Sequence, residues 1–124
     1  MVTMSDVKEL NRLEMIDINY IHGCNEICRH DLVENIMPFW MKYGVDRVNG
    51  GVYTNVDRDG TLMDSTKSVW FQGRFGFICS YLYNNICKKK EWLDAAKSTL
   101  EFIENKCFDT DGHMFFAVTE EGTP

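Results

Sequence analysis

The sequence lacks several features that mark large classes of protein. No window approaches the roughly 18 uncharged apolar residues of a membrane-spanning helix, and the first ten residues lack the apolar core of a signal peptide. A basic stripe is also absent, and the net charge is −6 with a sequence pI near 5.0. These absences argue against membrane proteins and nucleic-acid-binding proteins. We therefore expect a cytoplasmic protein with neither kind of partner.

The five cysteines lack the even number and the spacing of a disulfide framework, so we expect reduced thiols. Cys24 and Cys28 lie one helical turn apart, with His22 and His30 nearby. However, no CxxC or HExxH pattern supports a metal site, and a free cysteine commonly behaves as a small buried apolar residue. We accordingly predict neither a bound metal nor a cofactor.

The composition that is present, 124 residues with 44% hydrophobic and 26% charged, suits one globular unit. Ser5 is a possible N-cap for a first helix that extends to about residue 22. Gly23 weakens this pattern, and a second helical stretch is predicted from Asn25 to Gly44. Pro38 is expected either to kink that stretch or to open its last turns.

Two hairpins are predicted from similar turn sequences. Residues 52–56 alternate in polarity and are followed by the turn Asp-Arg-Asp-Gly at 57–60 and a short return strand. The turn Asp-Thr-Asp-Gly at 109–112 precedes a second apolar run. Helices followed by such a hairpin thus occur twice, about fifty residues apart, which indicates an array of stacked helical pairs.

Residues 67–87 predict a helix that is apolar on nearly all sides, since Arg74 carries the only full charge from Val69 to Cys87. Such a helix belongs in an interior, where an unpaired guanidinium is costly. Arg74 then needs a carboxylate, carbonyl groups or a ligand oxygen, and a structural ion pair is as plausible as a ligand site. Glu91 to Lys106 predicts a half-exposed helix whose apolar face carries Trp92, Ala96, Leu100 and Ile103.

The helix around Arg74 also carries the candidate binding residues. Lys67, Trp70 and Arg74 fall on one helical stripe, and Gln72 adds an amide. Gly73 costs a helix about 1 kcal/mol relative to alanine, a cost accepted where something approaches the backbone closely. An aromatic face beside fixed donors suits a neutral sugar, although a tryptophan is more often part of a core.

The motif KSVWFQGR at 67–74 lies within a longer recognisable pattern. It is preceded by MPFWMKYGVDRVNGGVYTNVDRDG and followed by CSYLYN, KKEWLDAAK and HMFFAVTEEGTP. In order and spacing, from about His30 to the last residue, the chain resembles the amino-terminal part of the N-acylglucosamine 2-epimerase family. The resemblance implies an all-α dominated (α/α)6 barrel, or α/α toroid, with short β-hairpins between helices. Residues 1–124 would be an incomplete amino-terminal part of that domain.

The resemblance further implies an isomerase that interconverts N-acylglucosamine and N-acylmannosamine by removing and returning the C2 proton. It assigns Arg74 the catalytic role of binding the substrate oxygens, with Trp70 and Gln72 as substrate-binding wall or support. In the family, the acid and base are histidines on later helices. His22, His30 and His113 do not match those positions, so this chain alone is expected to be inactive.

Other functions remain open at this point. A related aldose–ketose isomerase and a cellobiose or mannose epimerase share the fold and the chemistry. The tract WFQGRF is closer to the acylglucosamine enzymes than to the cellobiose 2-epimerases. A non-catalytic helical binding or assembly module is the alternative of another class.

A homo-oligomer is also expected, because an incomplete barrel cannot cover all of its large apolar side chains. The side chains at issue are Trp70, Phe71, Phe75, Phe77, Ile78 and Leu82.

Overall fold

A computed structural model describes the backbone of residues 1–124 and the side chains of residues 1–10, 12 and 17–124. The chain forms two compact units, Met1–Pro38 and Phe39–Pro124. The first is helical, and the second combines helices with short strands. The mostly helical content with short strands agrees with the prediction, which did not include the division into two units. Among the described residues, none of the helices combines the length and the apolar character needed to cross a bilayer.

The first unit is dominated by helix α1, Met4–Asp31. Thr3 caps it: the Thr3 hydroxyl accepts from the Asp6 amide at 3.2 Å, and the Asp6 carboxylate accepts from the Thr3 amide at 2.7 Å. The prediction of Ser5 as N-cap is therefore wrong. The predicted weakness at Gly23 is also wrong, because α1 continues through this residue. A single glycine costs a helix only about 1 kcal/mol, which the flanking turns absorb.

A π-helical turn at Leu32–Ile36, the short helix α2 at Met37–Phe39 and a second π-helical turn at Trp40–Gly44 follow. The helical path ends at Gly44, as predicted. Pro38 lies in α2 between the two wide turns. Proline removes an amide donor and its ring crowds the preceding turn, so the regular α-helical hydrogen bonding is interrupted around this residue.

Helices α3, Val69–Asn85, and α4, Lys90–Lys106, pack against each other in the second unit. The buried side of α4 differs from the predicted one, because Leu100 is 52% exposed while Thr99 is buried. Trp92 and Ala96 are buried as predicted, so the buried face is rotated only slightly, towards Thr99. The buried residues of α4 are Trp92, Ala95, Ala96, Thr99 and Phe102.

Four short strands flank these two helices, three before α3 and one after α4. Strands β1, Asn55–Val56, and β2, Leu62–Asp64, form the predicted first hairpin. Strand β3, Lys67–Ser68, pairs in antiparallel fashion with β4, Ala117–Val118, and this pairing delays the start of α3 to Val69. The predicted helix start at residue 67 is therefore wrong.

The second predicted turn, at 109–112, is also present, and an antiparallel bridge joins Phe108 to Met114 on either side of it. A buried cluster lies beneath the strands and includes residues of α3, α4 and β4. Its members are Val69, Phe102, Cys107 and Val118, with Ile103 and Phe115 packed against them.

Candidate functional site

An open groove of about 490 Å³ runs along one side of α3. Its volume falls within the range of small-molecule sites. Most of its lining comes from residues spaced three and four apart on α3, and the rest comes from α4 and from the bridge near the second turn. The lining residues are Val69, Trp70, Gly73, Arg74, Phe77, Ile78, Ile103 and Met114.

Trp70 and Arg74 lie together on this face, as predicted. The central guanidinium carbon of Arg74 is 4.0 Å from the centroid of the Trp70 ring, which is a cation–π contact. Stacking restricts the orientation of a planar guanidinium while leaving its N–H groups free to donate in the plane. The result is a set of oriented donors at the edge of an apolar groove.

The prediction that Arg74 is buried is wrong. Both Arg74 and Trp70 are exposed, Trp70 to 61%, because this face of α3 has no covering helix among the described residues. None of the ion pairs found between described side chains includes Arg74. The structural ion pair considered for this residue is therefore not formed within the described part of the chain.

Gln72 is fully buried and faces away from the groove residues. Its Oε1 accepts from the Val52 amide at 2.8 Å, and its Nε2 donates to the Val52 carbonyl at 2.7 Å. The side-chain amide of Gln72 thus satisfies both backbone groups of Val52, as a neighbouring strand would. Of the two predicted roles for Gln72, this geometry is compatible with support from behind the groove.

Lys67 does not continue the stripe of Trp70 and Arg74, so that part of the prediction is wrong. It belongs to β3, is 0% exposed, and its Nζ lies 2.6 Å from Oδ2 of Asp46. The ammonium also donates to the carbonyls of Gly50 at 2.9 Å and Glu120 at 2.8 Å, so all three of its protons have acceptors. It links the loop that contains Asp46 and Gly50 with the loop that contains Glu120, immediately before α3.

The environment of this ion pair shifts two pKa values. Burial opposes ionisation of Asp46, but hydrogen bonds from Lys67 and from the Asn49 and Val48 amides outweigh it and lower its pKa to about 2. Burial also raises the pKa of Tyr53, and its hydrogen bond to Glu120 adds to this effect. Asp46 is therefore an anion and Tyr53 a neutral phenol at pH 7.

Sequence reasoning missed Asp46 because its partner is 21 positions away and has no local signature. Among the described side chains, none of the histidines lines the groove. His22 and His30 lie in α1, and exposed His113 contacts Asp109, with 3.3 Å between Nδ1 and Oδ2. The described groove thus offers oriented donors without an acid–base pair.

Comparison with known proteins places these features in context. No known family profile matches the chain. The chain is 32% identical to N-acylglucosamine 2-epimerase of Rattus norvegicus over 96 residues, which cover 74% of this chain and 23% of that protein. It is 31% identical to cellobiose 2-epimerase of Eubacterium cellulosolvens over 110 residues, 81% of this chain and 25% of that protein.

A similar fold occurs in the solved structure of cellobiose 2-epimerase from Bacillus thermoamylovorans B4167. The TM-score is 0.70 at 31% identity, and the match covers 77% of this chain and 25% of that one. The chain therefore spans about a quarter of the length of these relatives. Together, the matches confirm the predicted resemblance of the chain to the N-acylglucosamine 2-epimerase family.

Proposed function

We propose that this chain forms part of a sugar 2-epimerase and that the groove beside Trp70 and Arg74 belongs to its substrate site. One observation carries the proposal: a guanidinium without an ion-pair partner among the described side chains is held over an exposed indole at the edge of an open apolar groove. Carbohydrate sites combine these elements, because sugar rings have apolar faces and hydroxyl-bearing edges. The similarity to sugar epimerases supports the same conclusion.

Epimerisation at C2 proceeds through the open-chain aldehyde of the sugar. A base removes the C2 proton from one face, negative charge collects on the carbonyl oxygen, and an acid returns a proton to the other face. Hydrogen-bond donors positioned at that oxygen stabilise the charged intermediate. In this proposal, Arg74 supplies these donors, Trp70 orients Arg74 and forms part of the wall, and Gln72 secures α3 behind them.

The acid and the base belong, in this proposal, to parts of the complete protein outside residues 1–124. None of the described histidines lines the groove, and the relatives are about four times as long as the matched segment. We further propose that α3 is an inner helix and α4 an outer helix of an (α/α)6 barrel. The exposed apolar side of α3 and the half-exposed α4 support this assignment.

An N-acylated amino sugar is our first choice of substrate, and cellobiose is the second. The motif WFQGRF favours an N-acylated amino sugar. Matches to cellobiose 2-epimerases favour a disaccharide to a similar degree, because they are 31–34% identical to this chain and the N-acylglucosamine 2-epimerases are 32–36% identical to it. Both substrates require the same C2 chemistry.

Deuterium exchange at C2 tests the proposal directly. The complete product of the gene that encodes this chain should incorporate deuterium at C2 of N-acetylmannosamine in heavy water, observed by NMR. Cellobiose serves as the second substrate, and the 124-residue chain should show no exchange above buffer. A complete gene product that exchanges neither sugar would contradict the proposal, and exchange by the short chain would contradict the placement of the acid and base.

Replacement of Arg74 by lysine in the complete gene product tests the assigned role. Lysine keeps the charge but loses the planar fork and its stacking on Trp70, so turnover should fall about tenfold to hundredfold. Because lysine keeps the positive charge and no ion pair of Arg74 is formed among the described side chains, the thermal stability should change little. Arg58→Lys, on the exposed first turn, is the matched control and should retain parental turnover. Parental turnover in Arg74→Lys would refute the assignment.

A further inference from the structure

Gly73 occupies the centre of the α3 face that lines the groove. Six lining positions follow the spacing of one helical face, in three adjacent pairs, and Gly73 is the single member without a side chain. The pairs are Val69 with Trp70, Gly73 with Arg74, and Phe77 with Ile78. A molecule that lies along the groove between Trp70 and Phe77 therefore passes over the backbone of Gly73.

Within the described part of the chain, neither the backbone nor a neighbouring residue explains glycine at this position. Gly73 is not among the glycines with positive φ, so alanine has no conformational penalty there. A Cβ atom built at Gly73 meets no heavy atom within 4 Å, whereas one at Gly76 meets Leu100 and Thr99 at 3.5 and 3.7 Å. The helix thus carries the propensity cost of glycine, and none of the described residues supplies a packing contact that explains it.

We propose that Gly73 is a specificity-determining residue whose missing side chain forms the notch in which a sugar approaches α3 beside Arg74. This inference rests on the proposed function of the groove. A methyl group at this position projects into the open space between Trp70 and Phe77, and a leucine side chain fills more of it. Access of the substrate to the Arg74 donors would then be limited by volume alone, with the charge and stacking of Arg74 unchanged.

The test separates stability from substrate use. Gly73→Ala should raise the melting temperature of the 124-residue chain by about 3 to 6 °C, since alanine is the better helix former and meets no obstacle. In the complete gene product, the same change should lower kcat/KM for N-acetylmannosamine about tenfold, mainly through KM, and Gly73→Leu should lower it further. Gly76→Ala in the same helix faces α4 and should leave kcat/KM unchanged.

Three outcomes would overturn the inference. Parental kcat/KM in Gly73→Leu would refute it and leave the proposed function intact. Loss of thermal stability in the complete Gly73→Ala product would show that the notch accommodates another helix and not a sugar. Absence of C2 exchange in the parent enzyme would refute the proposed function and this inference with it.

Discussion

The ammonium group of Lys67 illustrates what a buried charge requires. Asp46 and two carbonyls saturate its donors, and its Nζ also lies 4.5 Å from the Phe102 ring centroid. Removal of either partner leaves an unpaired buried charge, which typically costs about 3 to 5 kcal/mol. We expect Asp46→Asn and Lys67→Met each to unfold at much lower urea concentration than the parent, and the double variant to be more stable than either.

Urea unfolding followed by circular dichroism gives the free energy of unfolding of the parent, the two single variants and the double variant. Lys90 and Asp94 form an exposed pair on α4 and provide the control, because exposed pairs contribute about 1 kcal/mol or less. A double variant whose destabilisation equals the sum of the two single changes would contradict the coupling.

The same carboxylate predicts a pH dependence. The pKa of Asp46 is lowered to about 2 from an ordinary value of 3.8, so the folded state binds its proton less readily than the unfolded state. This group therefore stabilises the fold fully above about pH 4, and its contribution of about 2 kcal/mol is lost as the pH falls towards 2. Unfolding measured between about pH 5 and pH 2 should show a shallower decline in Asp46→Asn than in the parent. Parallel declines would contradict this expectation.

At the level of elements, the two turns of similar sequence differ in their surroundings. Gly60 and Gly112 both have positive φ, 92° and 84°. A Cβ atom at Gly60 would lie 2.5 Å from the Tyr43 ring, whereas one at Gly112 meets none of the described residues within 4 Å. Gly60→Ala should therefore destabilise the chain by about 2 to 4 kcal/mol, and Gly112→Ala, which carries only the backbone cost, by about 1 kcal/mol. Equal losses in thermal unfolding would show that the Tyr43 ring moves aside freely.

Helix α3 combines two kinds of side. Its buried side packs against the rest of the second unit through Gln72, Val69 and Leu82. On its opposite, uncovered side, Phe77 is 64% exposed and Tyr81 is 50% exposed. Helix α3 is therefore covered on only one side. For this reason Arg74 is exposed, although the apolar sequence of α3 predicts a buried helix.

For the whole molecule, this exposed side predicts self-association. Each large apolar side chain left in water forfeits about 1.5 to 3 kcal/mol relative to burial, so a second copy is the nearest available cover. Light scattering coupled to size exclusion should show that the 124-residue chain is a homo-oligomer at micromolar concentration, and Phe77→Ser should shift this chain towards monomer. A parental monomer that binds no apolar dye would contradict the prediction.

Local patterns in the sequence determined the helical segments, both Asp-x-Asp-Gly turns, the end of the helical path at Gly44 and the motif that places Trp70 beside Arg74. These features depend on residues a few positions apart, whose spacing is visible in the chain. The tertiary structure alone decided that Lys67 pairs with Asp46, that Gln72 binds the Val52 backbone, and that Arg74 remains exposed. Each of these depends on partners about twenty residues away or on which helices cover α3, and the free energy of burying a charge is set by those surroundings.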